Sequence, residues 1–362
     1  MTRSADKSIL YLALTLFIGG AIILFSASMV LSYKNFGFIG TYAIRQFLSG
    51  GIVGGAALYA CSRIRYRAWK KLALPLMLIS FILLALLFIP NLGYSFGGAR
   101  RWLKIGPVNF QPSELLKLSF IIYLASWLDT RRKDTATLSR GMIPFAIMLA
   151  VIAIFLVMQP DIGTLIVILI TAGMMYILGG GKASQIAGLC LAGLVLFFLL
   201  IQMYPYQQRR LAVFLDPLRD PKGAGYHINQ ASIAIGSGGF RGLGFGKGLQ
   251  KYHYLPEPMG DSIFAIFAEE TGFLGTSILT GLFFALFVKG IAIARSAPDA
   301  FGKLLAAGIS VGIMTQAFVN MAAISGLLPL TGIPLPFISY GSSSLAVTMA
   351  SVGILLNISR YT

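Results

Sequence analysis

Long apolar runs cross the chain from one end to the other, at about 8–31, 46–61, 72–90, 113–128, 142–158, 162–179, 185–204, 262–288, 304–325 and 336–358. A helix needs roughly 20 predominantly apolar residues to cross a hydrocarbon core, where every backbone polar group must be satisfied internally. The runs therefore predict an all-α integral membrane protein of about ten transmembrane helices, with residues 1–362 forming a single transmembrane domain. Composition agrees: the chain is 57% hydrophobic and 11% charged, against about 25% charged in soluble domains, which excludes a soluble fold. The first run follows a short basic segment, as in a signal peptide. Ser26, Ala27 and Ser28, however, lie inside a stretch that continues through Leu31, so it reads as a retained first helix.

An even number of spans puts both termini on one side, and the Lys/Arg distribution says which side that is. Sixteen Lys/Arg fall on the terminal segments and the loops of the same side, and five fall on the opposite short loops. Both termini are thus expected on the cytoplasmic side of the membrane. The segments 91–112 and 205–261 become outer loops, the second a large extracytoplasmic loop between helices 7 and 8. The net charge of +17 follows from this topology and from anionic lipid. Basic residues scattered over alternating loops do not make a nucleic-acid surface, so no nucleic-acid partner is expected. Cys61 and Cys190 stand at no redox or metal spacing, and only His227 and His253 are present, which argues against a zinc site. No protein metal site is expected, acid–base work falls to carboxylates, and a divalent cation acting with substrate stays open.

Several polar residues stand where they are costly or unusual. Glu114 and Lys117 share a face of the fourth helix, so they form a structural ion pair or face a polar groove. Asp161, between Gln159-Pro160 and Gly163, lines the same groove or caps the sixth helix. Glu269 and Glu270 lie in the eighth helix, where one is expected to pair with a cation such as Lys117 or to bond to backbone. The long loop is rich in glycine from Gly236 to Gly248 and carries Lys247 and Lys251, which fits a flexible connector or a close approach to phosphate. Arg101, Arg209 and Arg210 join these lysines as cations able to hold a pyrophosphate or to contact lipid headgroups. Asp261 stands at the junction of the long loop and the eighth helix, placed equally for a general base and for a helix cap.

The stretches Gly242-Leu243-Gly244-Phe245-Gly246, Gln250-Lys251-Tyr252, Tyr254-Leu255-Pro256-Glu257 and Asp261-Ser262-Ile263-Phe264-Ala265 resemble a signature of the SEDS family (FtsW, RodA and SpoVE). Gly326-Leu327-Leu328-Pro329 through Ser339-Tyr340-Gly341 resembles the family's second signature. Further matches are Ser26-Ala27-Ser28, Arg45-Gln46, Arg101-Trp102, Gln111-Pro112-Ser113-Glu114 and Gln159-Pro160-Asp161. The chain departs from the family in having Met259-Gly260 where His-Thr is common, and Gly341-Ser342 where Gly-Gly is common.

The resemblance implies a peptidoglycan glycosyltransferase that polymerises lipid II at the outer face of the cytoplasmic membrane and releases undecaprenyl pyrophosphate. Within the family, Gln-Lys-Tyr and Tyr-Leu-Pro-Glu lean toward the division branch over the elongation branch. The implied partners are a class B penicillin-binding transpeptidase and divisome membrane proteins. Asp261 takes the place of the family's catalytic aspartate, and Trp102 that of its functional tryptophan, which otherwise reads as an interfacial anchor. The substrate-binding set is expected to comprise Trp102, Arg101, Glu114, Lys117, Asp161, Arg209, Arg210, Lys247, Lys251 and Glu257. A flippase of the lipid-linked precursor is the alternative, since a charged groove through a helix bundle serves either task.

Overall fold

The computed structural model describes residues 5–89, 92–96, 99–105, 108–203, 208, 212–216, 220, 223 and 225–362. Each of the ten apolar runs coincides at least in part with helical structure among the described residues. In chain order these are α1 (Lys7–Phe36), α2 (Thr41–Gln46) running through a π-helical turn (Phe47–Ile52) into α3 (Val53–Arg63), α4 (Tyr66–Leu86) and α5 (Pro112–Thr130). A second π turn (Leu138–Met142) leads into α6 (Ile143–Met158), followed by α7 (Ile162–Leu178) and α8 (Ala183–Met203). Inside the long loop lies a helix that the sequence reading did not expect, α9 (Tyr226–Gly238), and after the loop come α10 (Ile263–Ser296), α11 (Ala300–Ile324) and α12 (Ser342–Ser359). Among the described residues, six helical stretches are by themselves long and apolar enough to cross a membrane.

Hydropathy and burial run in opposite senses across these stretches. Leu138–Met158 has a mean hydropathy of 2.7 and is 33% buried, whereas α11 at 1.5 is 83% buried and α12 at 1.4 is 78% buried. Lipid takes the most apolar faces, and the more polar helices go to the centre, where side chains find partners. Small residues permit the close approach there. A Cβ on Gly353 of α12 would meet the Leu58 carbonyl oxygen at 2.4 Å, and one on Gly308 of α11 would meet Met175 Sδ at 2.5 Å. Gln316 and Asn320, one turn apart on α11, point the same way and reach the Pro-rich segment before α12.

Two features of the loops depart from the sequence reading. The segment 91–112 is not featureless: Gly93–Phe96 (β1), Ala99–Ile105 (β2) and Val108–Phe110 (β3) form an antiparallel ribbon in the order β1-β2-β3. Its register slips between Tyr94↔Trp102 and Ser95↔Arg100, so β2 carries an extra residue at Arg101, a bulge that re-aims a side chain. The run expected to be helical from 336 instead begins as irregular backbone, and α12 starts only at Ser342.

The helix α10 is interrupted at Gly272, whose φ of 64° and ψ of −161° no helix accommodates. The glycine-rich loop fills the gap. Leu243 N–H and Gly244 N–H donate to the carbonyls of Glu269 and Glu270 at 3.0 Å each, while Phe273 and Leu274 N–H donate to the carbonyls of Gly239 and Phe240 at 2.9 and 3.2 Å. Four backbone groups around this local break thus find partners in the loop, as non-helical backbone near a membrane requires. Gly242 (φ 79°) and Gly272 approach so closely that a Cβ on Gly272 would sit 2.4 Å from the Gly242 nitrogen. Residues 273–296 alone span about 36 Å at 1.5 Å per residue, enough for a roughly 30 Å hydrocarbon layer.

Candidate active site at one end of the bundle

Four consecutive residues before α10 are each held by a different group. Met259 O accepts from Tyr340 N–H (2.8 Å), Gly260 O from the Ser339 hydroxyl (2.7 Å) and Asp261 O from Asn320 Nδ2 (2.9 Å). Ser262 Oγ lies 2.5 Å from His227 Nε2 on α9. The Pro-rich segment that supplies Tyr340 and Ser339 is itself fastened by Gln46, whose amide donates to Ser339 O and accepts from Gly341 N–H. These contacts bring Gln46, the 259–262 turn and the 339–341 stretch of the second signature together at one end of the molecule.

Asp261 is half-buried. It does not cap α10: the N-cap position belongs to Ser262, which makes no side-chain cap, so the capping alternative falls away. Gly332, with φ of 69°, lies between Asp261 and Arg101; a Cβ placed on it would be 3.9 Å from Asp261 Oδ2 and 3.8 Å from Arg101 Nη1. A side chain at 332 would occupy the gap between the acid and the cation. Glu257 is exposed as a residue, yet its Oε2 folds back to 3.3 Å from where a Cβ on Gly260 would sit. Burial of the carboxyl, then the charge of Asp261, raise its pKa above the ordinary carboxylate value.

Arg101 is held by the Gln159 and Pro160 carbonyls and faces Asp161 at 4.0 Å. Asp161 stands at the N-cap position of α7 without capping it; its carboxylate accepts instead from the Ser113 hydroxyl at 3.0 Å, and Gln111 Nε2 donates to that same hydroxyl. Asp161 is therefore a buried acceptor for Ser113 that faces Arg101, rather than a simple cap. Trp102 follows Arg101 on β2 and is half-buried. Lys247 is exposed on the glycine loop.

One turn into the bundle, Lys117 Nζ donates to Glu114 Oε1 at 2.9 Å and to the Gln316 side-chain oxygen. Both borders a cavity that also touches Thr171, Thr348 and Ser351, about 40 Å³ of which the centre of a water molecule can reach. That is room for about two or three waters beside the pair.

The expected role of Lys251 as a phosphate-facing cation is corrected by its surroundings. Its side chain is fully buried and donates to Glu270 Oε1 (2.6 Å), Ser26 Oγ (3.0 Å) and the Gly246 carbonyl (2.8 Å). All three ammonium protons are used, so none is left for a ligand. The cation opposite Glu270 is thus Lys251 and not Lys117. Glu269 accepts from the backbone N–H groups of Leu249 and Gln250. Arg209 and Arg210 lie outside the described residues.

Sequence reasoning missed Gln316, Asn320, Ser339, Gly332 and His227. Gln316 and Asn320 carried a usable signal, two amides four residues apart inside an otherwise apolar run. Among the described residues no group of three or more His, Cys, Asp or Glu stands together to cage a metal.

The sequence profile for the cell cycle protein family FtsW/RodA/SpoVE matches residues 6–362. The chain belongs to this family. Among FtsW/RodA/SpoVE proteins it is 39% identical over 354 residues to the probable peptidoglycan glycosyltransferase FtsW of Geobacter sp. strain M18, covering 98% of this chain and 96% of that protein. It is 40% identical over 359 residues to the stage V sporulation protein E of Bacillus subtilis, covering 99% and 98%. Among solved structures, a chain described under the structural coordination of polymerization and crosslinking by a peptidoglycan synthase complex superposes with a TM-score of 0.81 at 28% identity, covering 98% of both chains. The rod shape determining protein RodA of Thermus thermophilus superposes with a TM-score of 0.73 at 27% identity, covering 99% and 98%. The FtsW/RodA/SpoVE fold is thus shared over essentially the whole length, and the chain is an integral membrane protein.

Proposed function

We propose that the chain is a peptidoglycan glycosyltransferase that polymerises lipid II in cell division, with Asp261 as its general base. The single observation that carries the site assignment is the placement of Asp261 and Arg101 on either side of Gly332, at one end of a membrane-spanning bundle. A carboxylate and a guanidinium a few ångströms apart suit a reaction that removes a proton at one point and builds negative charge at another. The 4-hydroxyl of the acceptor sugar attacks the anomeric carbon of the donor, and the bond from that carbon to the diphosphate oxygen breaks. Undecaprenyl pyrophosphate leaves with the bonding electrons, and Asp261 accepts the hydroxyl proton. Arg101, with Lys247 on the exposed glycine loop, faces the departing diphosphate; Trp102 offers an aromatic face to sugar. Glu257 adds a second carboxylate beside Asp261, Asp161 orients Arg101 from behind, and Glu114 with Lys117 keeps a polar, water-sized cavity deeper in the bundle.

The Lys/Arg distribution supports placing this end of the bundle on the outer face of the cytoplasmic membrane, with both termini inside. The likeness to a chain from a peptidoglycan synthase complex that couples polymerization to crosslinking supports a class B penicillin-binding transpeptidase as partner. The test is polymerisation of lipid II by purified protein in detergent, with and without the transpeptidase. Asp261→Asn keeps the shape of the side chain and removes the base, so glycan synthesis is expected to fall by about 10²–10⁴ in protein that remains monodisperse. Glycan synthesis by Asp261→Asn at the wild-type rate would refute the assignment. Translocation of lipid II with no glycan made by the wild type would favour the flippase reading.

A further inference from the structure

The turn from 256 to 262 carries both Glu257 and Asp261, and its hydrogen bonds divide into two groups. Met259, Gly260 and Asp261 are tied to Tyr340, Ser339 and Asn320, all from the packed body of the bundle. Ser262 is tied to α9, the helix inside the long loop. The Ser262 hydroxyl is fully buried and donates its one proton to the Pro256 carbonyl at 2.8 Å, closing the turn on itself. With that proton committed, Ser262 Oγ is the acceptor in its 2.5 Å contact with His227, and His227 Nε2 carries the hydrogen. The imidazole thus stops the hydroxyl from rotating away from Pro256.

We propose that His227 is a positioning residue for Asp261: through Ser262 it locks the 256–262 turn, so that the carboxylate stands at a fixed place opposite Arg101. This inference rests on the reading of Asp261 as the base. His227 touches neither sugar nor diphosphate in this role. What it supplies is one N–H at the correct reach, and a glutamine amide supplies the same donor at nearly the same distance from the backbone.

The test compares steady-state lipid II polymerisation by His227→Ala, His227→Leu, His227→Gln, Ser262→Ala and the double variant His227→Ala/Ser262→Ala, each normalised to monodisperse protein. A donor lost from a positioning bond is expected to lower kcat about 10-fold with KM little changed in the Ala and Leu variants. Gln at 227 is expected to keep kcat within about twofold of wild type. Ser262→Ala, which also loses the Pro256 bond, is expected to lose at least as much as His227→Ala, and the double variant to be no worse than Ser262→Ala alone, because the His227–Ser262 linkage is already cut. Wild-type kcat in His227→Ala, a Gln variant as slow as the Ala variant, or multiplicative losses in the double variant would each overturn the proposal. Asp261→Asn is run in parallel: if it stays active the base assignment itself fails, whereas an inactive Asp261→Asn beside an unaffected His227→Ala removes only the positioning role.

Discussion

Removing the ammonium of Lys251 separates two readings of the glycine-rich loop. The Lys251→Met variant keeps much of the volume and deletes three hydrogen bonds, to Glu270, Ser26 and the Gly246 carbonyl. The side chains of Lys251 and Glu270 are 0% and 2% exposed, so the variant leaves a carboxylate buried against only the Ser26 hydroxyl. Breaking such a pair from one side costs about 3–5 kcal/mol. At about 2–4 °C per kcal/mol for a chain of some hundreds of residues, the apparent unfolding temperature is expected to fall by roughly 10 °C. The double variant Lys251→Met/Glu270→Gln removes the orphaned charge while Gln keeps a partner for Ser26, and most of the loss should be recovered. Thermal scans of detergent-purified protein by size-exclusion recovery read both effects, and polymerisation per folded molecule is measured on the same samples. A Lys251→Met protein as heat-resistant as wild type, with its defect confined to a raised KM for lipid II, would refute the structural account and restore a phosphate-binding role.

Gly272→Ala forces a side chain into positive φ and against the Gly242 nitrogen at 2.4 Å, a backbone contact that cannot yield cheaply; a loss of about 3 kcal/mol or more, seen as poor monodisperse yield, is expected. Glu257 titrates above the usual carboxylate range because of burial first and Asp261 second, so in Asp261→Asn its midpoint should move down but stay raised. Carboxylate-band infrared titration checks this, and an unmoved midpoint would separate the two groups electrostatically. For the same reason the protonated form of Glu257 is favoured on folding, so its contribution to stability is present at low pH and is lost as pH rises through its raised pKa.

The spans were legible because length and hydropathy measure what lipid demands. α6 could be read directly, being apolar on nearly all sides. The final run was misplaced at its start because Phe337, Ile338 and Leu335 are as apolar as a helix but are buried in irregular backbone under Asp261. The ribbon at 93–110 was invisible for a similar reason: a search for spans treats what lies between them as loop, and a bulge at Arg101 has no compositional mark. Asp261 stands out in the sequence through its motif. Its supports do not, since Asn320, Ser339 and His227 are 59, 78 and 34 residues distant from Asp261 and only packing brings them near. Lys251 was misread because the break in α10 that lets the glycine loop bury it follows from one positive φ, which the sequence shows only as another glycine.

The joint at Gly272 divides one long rod into a membrane anchor and a platform. The lower part, residues 273–296, is long enough to cross the hydrocarbon layer. The upper part, residues 263–271, leads from the turn that carries Asp261. The strand of glycines grips both parts at once, through the Glu269 and Glu270 carbonyls on one side and the Phe273 and Leu274 amides on the other, so the two pieces are splinted at a set angle instead of swivelling.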